Sequence, residues 1–443
     1  MNSMGKTFHI ETFGCQMNVA DTELVEAILI DQGYKKSNNP KTADAIFLNT
    51  CAIREHAEDK VHSQLGRYDL IKKERPEVII GVLGCMAQSL KNNLLESRPY
   101  VDIILGPDSY RRLPNLLNRN KTINNSLVDT QLSRYEVYDD LFPRRDDGSN
   151  AWISIMRGCD KFCSFCIVPF TRGRERSRSL SSIIYETKDA VDQGFKEITL
   201  LGQNVNSYHY EDYQFHHLLE SIAKIPGLKR IRYTSPHPQD ITDDLLYIMS
   251  DHDNICNYVH LPLQAGSDRI LKRMNRTYSQ EHFIDLANNI RKILPNVGIS
   301  TDIIVGFPGE TNDDFNETIN VMNEIKFDSA FSFKYSPRRG TKASEFDDQI
   351  PESIKQNRLQ QIIDLQKKHT LDNNLALVGT IQEVLIEKES KMSKNQWAGR
   401  IDSNKWVIFD KKDAHIKDMI PIQISEARGI TLYGQLIQNL EAA

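Results

Sequence analysis

A chain of 443 residues, 40% of them hydrophobic, is long enough for two or three globular domains, and its formal net charge of -5 argues against indiscriminate binding to nucleic acid while leaving room for a local basic patch. Residues 1–6 carry no apolar signal-like core and no uninterrupted apolar run is long enough to span a bilayer, so a cytoplasmic protein with no membrane association is expected. The 7 cysteines form an odd set, which favours reduced thiols acting as metal ligands over a framework of disulfides.

Residues 7–12 read as a strand, after which Gly14-Cys15 turns into a helical stretch at 21–29. The pattern returns with a strand at 45–48, Asn49-Thr50-Cys51 and a helix through 58–68, and again with a strand at 78–83, Gly84-Cys85 and a helix from Gln88. This alternation predicts a parallel, flavodoxin-like α/β domain over residues 5–122, whose strand ends gather on one edge where ligands bind. Cys15, Cys51 and Cys85 hold the same topological position and are expected to meet as a cluster site, although each alone would pass for an ordinary buried thiol. A closing unit at 101–106 with the basic helix after it completes the domain in this reading. The polar stretch 118–150, with Asn124-Asn125, Arg144-Arg145 and Asp146-Asp147, reads as a linker, its arginine pair solvated.

The run Trp152-Ile153-Ser154-Ile155-Met156 leads into Arg157-Gly158-Cys159, and Cys159, Cys163 and Cys166 then form a CxxxCxxC triplet. Three thiols in so short a loop can curl round one metal cluster. Zinc usually takes paired CxxC ligands and a fourth to close the site, and no Cys or His follows nearby, so an iron–sulfur cluster with one open iron is expected and a zinc knuckle is the alternative. Strand-then-helix units follow, with strands near 197–203, 230–234, 258–264, 299–306 and 330–335; with the strand at Trp152 they make a partial (β/α)6 barrel over residues 145–376. Polar residues cluster at the strand ends, and Gln203, Asn204, Ser235, His237, Gln264, Asp302 and Arg338 are the candidates for holding a cofactor there. Gly, Pro and Ser would also be expected in plain turns, and His237, between two prolines, could be only a turn residue. Arg172, Arg174 and Arg176 lie just beyond the triplet and are expected either to meet phosphates at the barrel mouth or to form a solvated charge run. Cys256 precedes a strand instead of following one, which places it at the stability face as a structural thiol.

A long amphipathic helix is expected at 352–375, followed over 377–441 by short strands at 380–386, 397–401, 405–409, 420–425 and 431–436. Five short strands suggest a small antiparallel, OB-like barrel of the kind that binds single-stranded nucleic acid through aromatic and basic side chains. Trp397, Arg400, Lys405 and Trp406 are the candidate contacts, and a structural cap with buried tryptophans is the alternative.

Four motifs now stand together: 11–18 (ETFGCQMN), 49–54 (NTCAIR), 84–86 (GCM), and 157–169 from Arg157-Gly158-Cys159 to Val168-Pro169. In combination they resemble the methylthiotransferase family of radical S-adenosylmethionine (SAM) enzymes over almost the whole chain. The resemblance implies an auxiliary [4Fe-4S] cluster on Cys15, Cys51 and Cys85, a SAM-cleaving [4Fe-4S] cluster on Cys159, Cys163 and Cys166, and a C-terminal TRAM domain that binds tRNA. Cys256 matches no family motif. The implied reaction replaces the strong C2–H bond of an N6-isopentenyladenosine at tRNA position 37: a 5′-deoxyadenosyl radical from SAM removes the hydrogen, sulfur comes through the auxiliary cluster, and a second SAM supplies the methyl group. An electron donor and a sulfur donor are implied as partners. Sister enzymes acting on threonylcarbamoyladenosine in tRNA or on a ribosomal-protein aspartate would share the six cysteines, and a two-cluster electron carrier would need neither the SAM loops nor the C-terminal barrel.

Overall fold

The computed structural model describes residues 5–51, 55–123, 126–143, 145 and 148–437, so Ala52-Ile53-Arg54, Asn124-Asn125, Arg144, Asp146-Asp147 and the expected domain end at 441 lie outside the described residues. The first domain runs β1 (Thr7–Phe13), α1 (Gln16–Asp31), β2 (Lys35–Lys36), β3 (Ala45–Thr50), α2 (Glu55–Glu74), β4 (Ile79–Gly84), α3 (Cys85–Leu90), α4 (Asn92–Ser97), β5 (Ile103–Leu105), α5 (Leu113–Ile123) and β6 (Leu127–Asp129). The strands lie in the order β2-β1-β3-β4-β5-β6 and every pairing is parallel. Alternate residues feed two cores, one face giving Phe47, Leu83 and Ile103 to the layer with Val25 and Leu29, the other giving Leu48, Val82 and Ile104 to the layer with Val61 and Leu65. The stretch expected to be a linker is therefore part of this domain: β6 extends the sheet, and Tyr138 is buried against Tyr110 with ring centroids 5.8 Å apart. Arg145, expected to be solvated, is buried and ion-paired with Glu186.

The second domain contains β7 (Asn150–Ser154), β8 (Met156–Arg157), α6 (Val168–Arg172), β9 (Arg176–Ser177), α7 (Leu180–Asp192), β10 (Glu197–Leu201), the hairpin β11 (His209–Tyr210) and β12 (Tyr213–Gln214), α8 (Phe215–Ala223), β13 (Arg230–Tyr233) and α9 (Asp243–Asp251). It continues through β14 (Tyr258–His260), α10 (Asp268–Arg273), α11 (Gln280–Ile293), β15 (Gly298–Val305), α12 (Asn312–Ile325), β16 (Ser329–Lys334) and α13 (Glu352–Leu375). Two parallel three-stranded sheets, β13-β10-β7 and β14-β15-β16, are joined by the parallel bridge Ile231↔Ile255, giving six strands in chain order. Ile153, Ile198, Ile231, Val259, Ile299 and Ile303 pack outward against helix residues such as Leu218, Phe283 and Val321. Because side chains alternate along a strand, Trp152, Thr199, Arg232, His260, Asp302 and Phe331 line the concave inner face. The seam beside β7 is covered by α1, whose Met17 and Ala20 pack with Leu201 and Trp152.

The third domain is a closed barrel of β17 (Ile381–Glu389), β18 (Gln396–Arg400), β19 (Trp406–Asp410), β20 (Met419–Arg428) and β21 (Thr431–Leu436) in the order β17-β18-β19-β21-β20. Four of its pairings are antiparallel, and β19 pairs with β21 in parallel. Its turn at 401–405 meets the lower end of the central barrel, where the strands begin. Arg232 donates to the carbonyls of Ile401 and Asp402, each at 2.9 Å, Arg230 donates to the carbonyl of Glu383 at 2.8 Å, and the Asn257 amide donates to Asp402 Oδ2 at 2.8 Å. Lys405 pairs with Asp328 at 2.5 Å. The floor of the barrel is thus closed by a loop from another domain.

Cys256 lies in that floor, buried, with its amide donating to the carbonyl of Ile231. Burial pushes its thiol well above the usual range. Cys256→Ser is expected to keep iron per chain at the wild-type level, and loss of a whole cluster's iron would refute this placement.

Candidate metal centres and cofactor site

Cys15, Cys51 and Cys85 follow the carboxyl ends of β1, β3 and β4, which are neighbours in the sheet. A buried polar ladder fixes their loops: Asn18 Nδ2 donates to Asn49 Oδ1 at 3.2 Å and to the Thr50 carbonyl at 3.3 Å, while Asn49 Nδ2 donates to the Asn18 carbonyl at 2.9 Å. Thr50 Oγ1 donates to the Leu83 carbonyl at 3.2 Å, tying the end of β3 to that of β4. Gly84 adopts φ 89°, and a Cβ there would come 2.8 Å from the Thr50 carbonyl oxygen, so only glycine fits without displacing the loop that carries Cys51. Gly84→Ala is accordingly expected to lower the iron held by the N-terminal cysteines, read as loss of up to about half the iron per chain with SAM binding retained.

The second triplet lies in the loop between β8 and α6. The strands β8 and β9 clasp antiparallel around it. The Gly158 amide donates to Gln203 Oε1 at 2.5 Å, the Cys159 amide to the Gly173 carbonyl at 3.1 Å, and the Ser164 amide to the Met274 carbonyl at 2.9 Å. Burial pushes Cys159 up to about 11 and Cys166 up to about 12, as expected for thiols kept from water that carry charge only when a metal takes them.

The segments that carry the two triplets are in contact. Cys85 packs against Ile167, the residue after Cys166, and α3 lies against α6. Across this contact Arg172 Nε donates to Cys85 Sγ at 3.1 Å and Arg172 Nη2 to Asp21 Oδ2 at 2.8 Å, and Arg157 Nη2 reaches Asp21 Oδ1 at 2.6 Å. All three charged side chains are buried. A hydrogen bond from Cys51 pulls the Cys15 thiol down to about 6, against its burial and with help from Arg172, while burial raises Cys85. On the other side, Arg276 Nη1 donates to Cys163 Sγ at 3.3 Å. Each triplet therefore has a guanidinium at one thiol, the counter-charge that a thiolate-bound, anionic cluster requires. Arg172 Nη1 is buried with no hydrogen-bond partner among the described residues, which also fits an anionic group beside it. Among the described residues no three His, Cys, Asp or Glu side chains converge on one point as a single-ion site needs. A cluster takes one thiolate on each of several irons and requires no such convergence.

The arginines after the triplet separate. Arg172 is engaged as above. Arg176 is buried, paired with Asp108 and donating through Nε to the Glu136 carbonyl at 2.8 Å. Neither guanidinium is presented to solvent, so the phosphate-facing expectation does not fit these two; Arg174, 68% exposed and paired with Asp160 at 2.6 Å, is the accessible member. Arg400 is likewise engaged, bridging Glu197 at 2.9 Å and Glu387 at 2.5 Å between domains, and Lys405 is taken up by Asp328. Trp397 and Trp406 are half-buried, with Lys411 Nζ 3.9 Å from the first ring centroid and Lys388 Nζ 4.1 Å from the second.

The cofactor candidates gather around the upper end of the barrel, though not all are free to bind. Gln203 is spent on the cluster loop. Asn204 is buried, its Nδ2 donating to Asp240 Oδ2 at 2.8 Å while its Oδ1 has no partner among the described residues, the mark of an acceptor waiting for a donor. His237 is buried, and burial, then Arg276 and Lys161, hold it down at about 2, so it is a neutral imidazole at physiological pH. Ser235 is exposed with φ 59° and Gln264 is buried with φ 68°, both in the left-handed region at strand ends. Asp302 lies on the inner face of β15 with Oδ2 3.3 Å from His260 Nε2, and Arg338 is half-buried after β16. Sequence reasoning missed Asp21, Arg157 and Arg276: Arg157 stands within a cysteine motif and Asp21 just beyond one, whereas Arg276, 113 residues from Cys163, carried no local signal at all.

Residues 7–106 match the family model described as Uncharacterized protein family UPF0004, residues 153–322 the Radical SAM superfamily, and residues 375–437 the TRAM domain. The tRNA-2-methylthio-N(6)-dimethylallyladenosine synthase of Parabacteroides distasonis is 47% identical over 97% of this chain and 95% of its own length. The protein of the same name from Carboxydothermus hydrogenoformans is 42% identical over 98% and 99%. Among solved structures, the radical SAM methyltransferase TsrM of Kitasatospora setae superposes with a TM-score of 0.58 at 14% identity, covering 77% of each chain, which is a likeness of fold alone.

Proposed function

Since this chain belongs to the radical SAM family of tRNA-2-methylthio-N(6)-dimethylallyladenosine synthases, we propose that it converts N6-isopentenyladenosine at position 37 of tRNA to its 2-methylthio derivative. Membership of the radical SAM superfamily implies SAM and a [4Fe-4S] cluster, for which Cys159, Cys163 and Cys166 are the ligands. A second [4Fe-4S] cluster is held by Cys15, Cys51 and Cys85. The observation that supports this reading is the contact of Cys85 with Ile167, the residue after Cys166, with Arg172 donating to Cys85 Sγ beside it.

When bound, the cluster at the second triplet and SAM together supply a carbon radical able to take hydrogen from an unactivated C–H bond. The chain's own part is positioning. Gln203 and Gly173 hold the cysteine loop by its backbone, and Asn204, Ser235, His237, Gln264, Asp302 and Arg338 are the residues that would hold SAM. Asp21 holds Arg157 and Arg172 at a fixed distance, so the loops carrying the two triplets cannot drift apart. The tRNA is held by Arg174 at the mouth and by Trp397 and Trp406 with their lysines, its anticodon region reaching the barrel. The enzyme works in the cytoplasm with an electron donor and a sulfur donor; among the described residues no helix is long and apolar enough to cross a membrane.

Nucleoside mass analysis of tRNA from a deletion strain tests the proposal. The 2-methylthio nucleoside should vanish, N6-isopentenyladenosine should accumulate, and the wild-type gene should restore the former. Retention of the methylthio group on isopentenyladenosine in the deletion strain would refute it.

A further inference from the structure

The inner positions of a closed strand barrel are ordinarily filled by side chains stacked in layers. On the last strand of this partial barrel they are not. Alternation along β16 points Phe331 and Phe333 to the same inner face as His260 and Asp302, and the two rings remain 52% and 40% exposed. Their register fixes their height: Phe331 pairs with Asp302 and Phe333 with Ile304, one layer nearer the mouth. The Phe331 ring centroid lies 5.9 Å from that of His260, edge to face. The His260 ring is in turn held by Ser300 Oγ at 2.8 Å and by Asp302. An aromatic face open to the cavity, with a few fixed polar groups beside it, has the character of a ligand site.

We propose that Phe331 and Phe333, with Ile304 between β14 and β16, form the subsite for the N6-dimethylallyl group of the substrate adenosine. The proposal rests on the functional reading above, which puts a branched five-carbon chain on the base that enters this cavity. That chain is apolar and uncharged, and a pair of phenyl faces on a rigid strand removes it from water without requiring a hydrogen bond. The strand lies opposite β7 across the barrel opening, each being the outer strand of its sheet. A base seated with its prenylated N6 edge on β16 therefore leaves its other edge for the reacting groups. The subsite would make the prenyl group a condition for productive binding, so this enzyme acts after the reaction that prenylates the adenosine.

The test uses full-length reconstituted enzyme and two anticodon stem-loop RNAs that differ only in the N6-dimethylallyl group at the target adenosine. Wild-type enzyme is expected to bind the prenylated RNA at least about tenfold more tightly, the range that burial of a few methylenes gives. Phe331→Ser with Phe333→Ser should bring the two affinities to within about twofold by weakening only the prenylated RNA, with SAM affinity unchanged. Phe331→Leu and Phe333→Leu, which keep an apolar surface and carry less folding risk, should retain most of the preference. Full preference in the serine variants would overturn the subsite, and so would an equal loss for both RNAs, since that would mean the rings stack on the base itself. No preference in wild-type enzyme would overturn the functional reading and the subsite with it.

Discussion

Replacing Cys15, Cys51 and Cys85 together by alanine is expected to remove about half of the bound iron, leave conversion of SAM to 5′-deoxyadenosine running, and abolish methylthiolated tRNA. The two triplets belong to separate domains with their own cores, so loss of one set of ligands leaves the loop of the other tied by Gln203, Gly173 and Met274. The reciprocal replacement of Cys159, Cys163 and Cys166 should give no 5′-deoxyadenosine at all. Chromatographic measurement of 5′-deoxyadenosine beside nucleoside analysis of the same reaction checks both. If the N-terminal variant fails to cleave SAM despite a spectroscopically intact second cluster, or still thiolates tRNA, the division of labour is wrong.

The other large effect belongs to Asp21. Asp21→Asn keeps the shape and removes the charge, leaving Arg157 and Arg172 buried without their shared counter-ion, a change expected to cost about 3–5 kcal/mol of stability. Tyr110, which donates to Asp21 Oδ2 at 3.3 Å, does not replace it, being neutral. The pH dependence follows. Burial acts to raise the Asp21 carboxyl, but Arg157 and then Arg172 more than reverse this and hold it below its ordinary value. A depressed carboxyl contributes stability above its unfolded value of about 4 and loses it as pH falls through the folded value. Anaerobic denaturant unfolding should therefore show the full gap between wild type and variant at neutral pH, and a gap that narrows only in acid below about pH 4. An equal gap throughout that acid range would assign the loss to packing instead of charge.

Much of this architecture is legible in the residues themselves, because hydrophobic period and cysteine spacing are local signals. The helix expected at 352–375 runs Glu352–Leu375, the last strand is Thr431–Leu436, and the six cysteines of the two triplets sit at the strand ends that the alternation implies. What escaped is long-range charge. The run from Arg172 to Arg178 has the composition of a solvated surface, and nothing nearby in sequence says that Arg172 will meet Asp21, 151 residues away, or that Arg400 will meet Glu197, 203 residues away. The strand β6 escaped for a related reason: three residues among asparagines carry too little pattern of their own and are strand only because β5 offers an unpaired edge. Whether an arginine faces RNA or a buried carboxylate is decided by the partner, and the partner is not in the window being read.

The loop that closes the barrel floor also sets a timetable. Proteins are made from the amino end, and domains commonly fold as they emerge from the ribosome. Here the second domain has all its strands once Lys334 is out, yet Arg230, Arg232 and Asp328 wait for acceptors and a cation supplied between Glu383 and Lys405. A nascent chain halted after α13 would carry a barrel with an open end and charges facing water. Truncations of the C-terminal domain, made to ask what it contributes to tRNA binding, would thus yield an unfinished catalytic domain, and their inactivity would report on maturation as much as on recognition.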